Sequence, residues 1–250
     1  MCTPYERRDD WLMEVVRWRG TLYLVQVDTE KRRRERLQET PRQRQMSSWG
    51  YKFEQLMTSP EPGVSPDTEA PVDENEEFCC LFRTRISGTS IVYGAEMDAY
   101  KADRRLHEGE VLNPDNFVEM KTSRMIENER QDRNFRFKKI LTNIKFNYFF
   151  SRRFKLLKWW SQSFLVGTKE LLCGWRDDDG VVTSLETFMI KDIPKAASDW
   201  KPNVCVNFLS ALLSKLKTSI TEESSVHTVT WNSRAKQIQV LNPHQILTSF

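Results

Sequence analysis

Two short segments constrain this chain more than any other feature: Glu96-x-Asp98 within IVYGAEMDA (residues 91–99) and Glu119-x-Lys121 within NFVEMKTS (residues 116–123). Both stretches are rich in β-branched and aromatic residues, which predicts strands. Side chains two apart on a strand project to one face, so each pair presents its charged groups together. If the two strands are neighbours, three carboxylates and an ammonium converge. Carboxylates packed that closely repel one another and are driven toward protonation unless a cation stands among them. Taken singly, either pair is more often a solvated strand face with cross-strand ion pairs.

The surrounding elements read from local pattern. EVVRW and TLYLVQV flank Arg19-Gly20 and predict a hairpin. The arginine-rich run from Glu30 to Gln38 predicts a helix, which Pro41 restarts rather than continues. Met46, Trp49, Phe53 and Leu56 then recur at three- and four-residue steps, the mark of a second helix with one buried face; Glu54 rides on it. Residues 58–77 hold four prolines, one glycine and many acids, which predicts an exposed loop without a function of its own. FCCLFRTRI (78–86) predicts a strand ahead of the first acid pair, and FKLLKWWSQSFL (154–165) a helix in which Trp159 and Trp160 pack inward. Asp179-Gly180 predicts a hairpin turn between LLCGWR and VVTSLETF, so the Asp177–Asp179 run is turn chemistry and not a metal cluster. Pro202 opens a helix through about Lys217, and VHTVTW with KQIQVL forms a last hairpin. The expected architecture is a single mixed α/β domain over residues 1–250, with a central mixed sheet bearing the carboxylates, a second smaller sheet and outer helices.

Composition excludes several alternatives. The 38 basic and 35 acidic side chains nearly cancel at a formal +3, so any groove for a polyanion is a local feature. Five cysteines, odd in number and without C-x-x-C spacing, argue against a disulfide framework and a zinc knuckle, and favour a reducing compartment. The first ten residues lack the apolar core of a signal peptide, and no apolar run approaches the roughly 20 residues of a membrane span, so a soluble intracellular protein is expected. Three histidines, none paired at helical spacing, leave catalysis to carboxylates and lysine.

Acid, acid and lysine in this pattern suit phosphodiester hydrolysis. Oxygen-only ligands select a hard divalent ion, Mg²⁺ or Mn²⁺, and a pair of such ions can clamp the entering and leaving oxygens. Lys121 supplies a point charge beside the reacting phosphate. Gly50 lies one helical turn before Glu54 and leaves room on the same face for bound water. Gln162 follows Lys158 by one turn, where its amide can hold a phosphate or the nucleophile. The basic run Lys31 to Arg36 reads equally as a nuclear address, a phosphate-binding stripe or a solvated helix face.

GYKFE, GAEMD, VEMKT and LLKWWSQSF, in this order, resemble the family of decapping and 5′–3′ exoribonucleases that includes the nuclear Dom3Z/DXO and Rai1 proteins. MCTPYE, GTLYLVQV and WKPNVCVNFLSALLS extend the resemblance over nearly the whole chain. It implies a fold similar to PD-(D/E)XK nucleases and a metal site built from Glu54, Glu96, Asp98, Glu119 and the main-chain carbonyl of Met120. It also implies Lys121 and Gln162 near the reacting phosphate, with Glu96 and Cys79 lining the substrate pocket. The implied substrates are RNAs with defective, NAD-capped or phosphorylated 5′ ends, and the implied setting is the nucleus, with a nuclear exoribonuclease as partner. Three departures accompany the resemblance. The family's upstream segment with an arginine motif precedes the point where this sequence begins, residues 124–153 form an insertion, and HQILTSF diverges from the family's last strand. The alternative they raise is a catalytically impaired RNA-binding or partner-stabilising protein.

Overall fold

The structure, a computed structural model, describes residues 1–125, 153–197 and 199–242. Most of the 124–153 insertion and the HQILTSF end lie outside the described residues. Those described gather in two compact units, one from residues 1–40, 86–89 and 203–250, the other from 41–85 and 90–202. No described helix is long and apolar enough to cross a membrane.

The first unit holds β1 (Trp11–Trp18), β2 (Thr21–Val27), α1 (Glu30–Leu37), and, from the far end of the chain, β9 (Val226–Asn232) and β10 (Gln237–Leu241). Arg19 and Gly20 both take positive φ, the geometry of a tight hairpin turn, and Trp18 pairs with Thr21 across it. The sheet is antiparallel in the order β10-β9-β1-β2, with Val15 opposite His227. Its inner face and the helix opening at Pro202 share a core of Val15, Leu216, Ile220 and Val229.

The second unit contains α2 (Pro41–Met57), β3 (Cys79–Ile86), β4 (Thr89–Glu96), β5 (Ala99–Tyr100), β6 (Phe117–Arg124), α3 (Arg153–Val166), β7 (Glu170–Arg176), β8 (Val182–Met189) and the short α4 (Ile193–Ala196). The later helix Pro202–Ser219 is α5. β3 and β4 form a hairpin, and a four-stranded mixed sheet runs β5-β6-β7-β8. Among the described residues its one parallel pair is β6 with β7, joined by the long crossover that contains α3. α2 packs on one face, where Phe53 meets Val118 and Met120. α3 lies toward the opposite face, where Lys155 donates to Ser123 at 2.9 Å. Trp159 and Trp160 are buried, as their spacing predicts.

One expectation is corrected. IVYGAEMDA is not a single strand: β4 ends at Glu96, Asp98 sits in the connection, and β5 opens at Ala99. Met97 is the cause. It is buried with Phe117 and Val166, and its N–H still donates to the Phe78 carbonyl at 2.9 Å as the hairpin ends. Glu96 and Asp98 therefore flank a buried residue on separate elements, and β4 is not a neighbour of β6 in its sheet.

Candidate active site

The site is built on an open strand edge. β5 pairs with β6 only at Phe117 and Val118, so from Met120 onward this side of β6 meets no other strand among the described residues. Asp98 fills the first vacant position: its Oδ2 accepts the Met120 N–H at 2.6 Å. On a strand the N–H and C=O of one residue point to the same side, so the Met120 carbonyl also faces the open edge. The Met120 side chain, by contrast, is buried under α2.

Glu119 and Lys121 project from the sheet face opposite Met120 and meet each other, Lys121 Nζ lying 2.5 Å from Glu119 Oε1 and 3.3 Å from Asp98 Oδ2. Both carboxylate side chains are only 8% exposed. Burial opposes the charge on Lys121, but Glu119 and Asp98 outweigh it and hold its pKa above the ordinary lysine value. Burial raises the pKa of Glu119, with Lys121 opposing.

α2 brings Glu54 to the same edge from the other face. Phe53 anchors it by lying over Gly174 of β7, where a Cβ would come within 2.7 Å of the ring. Burial, then the nearby Asp98 charge, push Glu54 up to about 7; Glu96 and Glu119 add to this and Lys121 opposes it. Glu96, at the end of β4, is also raised, first by burial and then by Glu77 and Asp98. At Gly50 a Cβ would meet nothing within 4 Å. Cys79 is exposed at the start of β3, and Gln162 is exposed on α3 one turn beyond Lys158.

The fold thus brings Glu54, Glu96, Asp98, Glu119 and Lys121 within electrostatic reach of one another. Two further groups escaped the sequence reading. Glu77, last in the acidic loop, acts on Glu96, and Tyr51 of α2 is raised by burial and by Glu96. A loop acid gives no periodic signal, though Tyr51 within GYKFE lies one turn from Glu54's neighbours and was open to notice. Among the described residues no three His, Cys, Asp or Glu side chains close into a finished metal cage. The Lys121 ammonium pairs with both Asp98 and Glu119. The donor set nonetheless fits a hard cation: every candidate ligand is oxygen, and burial together with the neighbouring Asp98, Glu96 and Glu119 charges pushes Glu54 toward neutrality despite Lys121.

Residues 1–144 and 138–249 match the RAI1-like PD-(D/E)XK nuclease family. The human decapping and exoribonuclease protein is 35% identical over 237 residues, covering 92% of this chain and 55% of that protein. The chain spans about half the length of the curated relatives it matches. Among solved structures, Schizosaccharomyces pombe Rai1 in complex with 3′-FADP superposes with TM-score 0.67 at 25% identity, covering 96% of this chain and 67% of that one. Candida albicans Rai1 in complex with pU5 and Mn²⁺ gives TM-score 0.73 at 23% identity, covering 94% and 64%.

Proposed function

The chain belongs to the RAI1-like PD-(D/E)XK nuclease family, and on that footing we propose that it is a divalent-metal-dependent hydrolase of RNA 5′ ends. The observation that carries the proposal is the placement of Lys121 between Asp98 and Glu119 on an open strand edge, with Glu54 and Glu96 within electrostatic reach. Glu54, Glu96, Asp98, Glu119 and the Met120 carbonyl would hold Mg²⁺ or Mn²⁺, as a pair of ions in this reading. Bound there, the metal supplies polarisation of the phosphoryl oxygen and a more acidic attacking water.

The protein's own groups do the rest. Lys121 exchanges a carboxylate oxygen for a phosphate oxygen and neutralises charge that develops on it. Glu54, raised while no cation is held, would give up its proton on holding one, so that metal binding is coupled to proton release. Gln162, exposed on α3, orients the phosphate or the nucleophile, and Cys79 lines the approach. The reading includes removal of incomplete or NAD caps and of pyrophosphate, followed by 5′–3′ degradation, in keeping with relatives named decapping and exoribonuclease proteins, and we further propose a nuclear setting and an exoribonuclease partner.

The test is to incubate the purified chain with 5′-phosphorylated and NAD-capped RNA in Mg²⁺, in Mn²⁺ and in chelator, and to resolve the products. Metal-dependent release from the 5′ end is expected, abolished in Glu96→Ala/Asp98→Ala. Absence of turnover by folded protein, or activity surviving in that double variant, would overturn the proposal.

A further inference from the structure

The nuclease reading leaves one cluster unused. Beyond Lys121, where β6 and β7 end, Arg124 and Arg176 stand side by side in the parallel register, and Arg42 joins them from the first turn of α2. The Trp49 ring organises the group: the Arg176 guanidinium lies 4.4 Å from its centroid and that of Arg42 5.0 Å. The ring is itself held over the turn at Gly180, where a Cβ would come within 2.4 Å of it.

Three guanidinium groups so close repel one another. Burial lowers the Arg176 pKa, and although Asp178 opposes this, Arg124 and Arg42 lower it further. Of the three turn aspartates, Asp178 answers them most directly, its carboxylate pairing with Arg124 and its carbonyl accepting from Arg42. The Asp177 carboxylate is committed to the N–H groups of Asp179 and Val181. Arg176 donates through Nη1 to the Asp177 carbonyl at 2.9 Å, while its Nε is buried with no hydrogen-bond partner among the described residues. A cluster serving only packing would not gather like charges around an aromatic ring and leave a donor unfilled.

Position supplies the ligand. Arg124 follows Lys121 by three residues along β6, about 10 Å at strand rise. Trp49 precedes Glu54 by five residues along α2, about 7 Å at helix rise. Both elements lead from the site toward the arginines, which stand on the α2 face of the sheet: Arg124 is an even step from Met120 and points away from Lys121, to the face from which Glu54 comes. We infer that Arg42, Arg124 and Arg176, set around Trp49, form a second anion site that holds the sugar–phosphate backbone of single-stranded RNA at phosphates beyond the reacting one. The inference rests on the proposed nuclease function for its choice of ligand. Arginine forks match phosphate oxygens, and an aromatic ring beside them is the pairing that single-strand binders use.

The test is equilibrium binding of 5′-phosphorylated oligouridylates of increasing length, in chelator and across a salt series, so that it needs no turnover. Wild-type affinity should rise as the oligonucleotide lengthens. In Arg42→Ala/Arg124→Ala, both exposed positions, the longest oligonucleotide should bind roughly tenfold more weakly, and the slope of log affinity against log salt should shrink by about 1.4, about 0.7 for each lost phosphate contact. Lys215→Ala/Lys217→Ala on α5 removes equal charge elsewhere and should leave affinity and slope unchanged. An unaltered slope in the arginine variant, an equal loss in the lysine variant, or no binding by folded wild-type protein would each overturn the site. Failure of hydrolysis with arginine-dependent binding intact would instead sink the nuclease reading alone.

Discussion

Glu54 stands where its own charge is least welcome, half-buried on α2 with Asp98, Glu96 and Glu119 near it and only Lys121 in opposition. The unfolded chain releases this proton near pH 4.5, the folded chain near 7. The folded state therefore holds the proton more tightly, and the metal-free protein loses stability as pH rises between those values. A loss of about 2 kcal/mol is expected after allowing for partial exposure. Glu54→Gln should flatten that slope and raise the melting temperature at pH 8 in chelator; a slope equal to wild type would refute the assignment. Lys121→Met makes the complementary case. It leaves Asp98 and Glu119, each 8% exposed, without their counter-ion. The metal-free variant should lose about 2 kcal/mol, less than a fully buried pair because Lys121 itself is partly exposed. Mn²⁺ should then raise its melting temperature more than it raises that of wild type, and an equal or smaller rise would show that no cation takes the lysine's place.

α2 and β6 together decide where the site can form. Phe53 sits close enough to Gly174 that a Cβ there would meet its ring, so β7's glycine sets how close Glu54 comes to the edge of β6. Gly174→Ala is expected to cost about 1–3 kcal/mol in urea denaturation through overpacking. Adding Phe53→Leu should recover part of it, whereas strictly additive losses would mean that the contact is not the cause. Local pattern made most of these elements legible. The hairpin at Arg19-Gly20, the restart at Pro41, the buried tryptophans of α3 and the Asp179-Gly180 turn all follow from neighbours within a few residues. The break between Glu96 and Asp98 was not legible, because alternation is the same whether a strand continues or hands over to another. Burial of Met97 with Phe117 and Val166, residues far away in the chain, made the difference.

In the molecule as a whole, β1 takes its neighbours from both ends of the sequence: β2 directly after it and β9 more than two hundred residues later. Val15 and Val229, both fully buried, meet α5 residues Leu216 and Ile220 in one cluster. Ending the chain after Glu222 would strip β1 of β9 and open that cluster. The amides of residues 11–16 should then lose their slow hydrogen exchange, and persistent protection there would contradict the pairing. The same dependence on distant partners hid the arginine cluster. Arg42, Arg124 and Arg176 read separately as a helix start and two strand ends, and only the β6–β7 register and the stacking on Trp49 assemble them.

Sequence by itself determined which groups were available: three carboxylates and a lysine, types that suit a hard cation and phosphate chemistry wherever they converge. It also determined the turns at Arg19-Gly20 and Asp179-Gly180 and the helix starts at Glu30, Pro41 and Pro202, because those depend on φ preferences and side-chain periods that act over a few residues. Tertiary structure decided that Asp98 leaves its strand to occupy the Met120 edge and that Glu77 reaches Glu96. It likewise decided that Lys121 lies between Asp98 and Glu119. These placements rest on which distant segments share a sheet edge and a core, and hydrogen-bond pairing and burial between such segments leave no mark in local spacing.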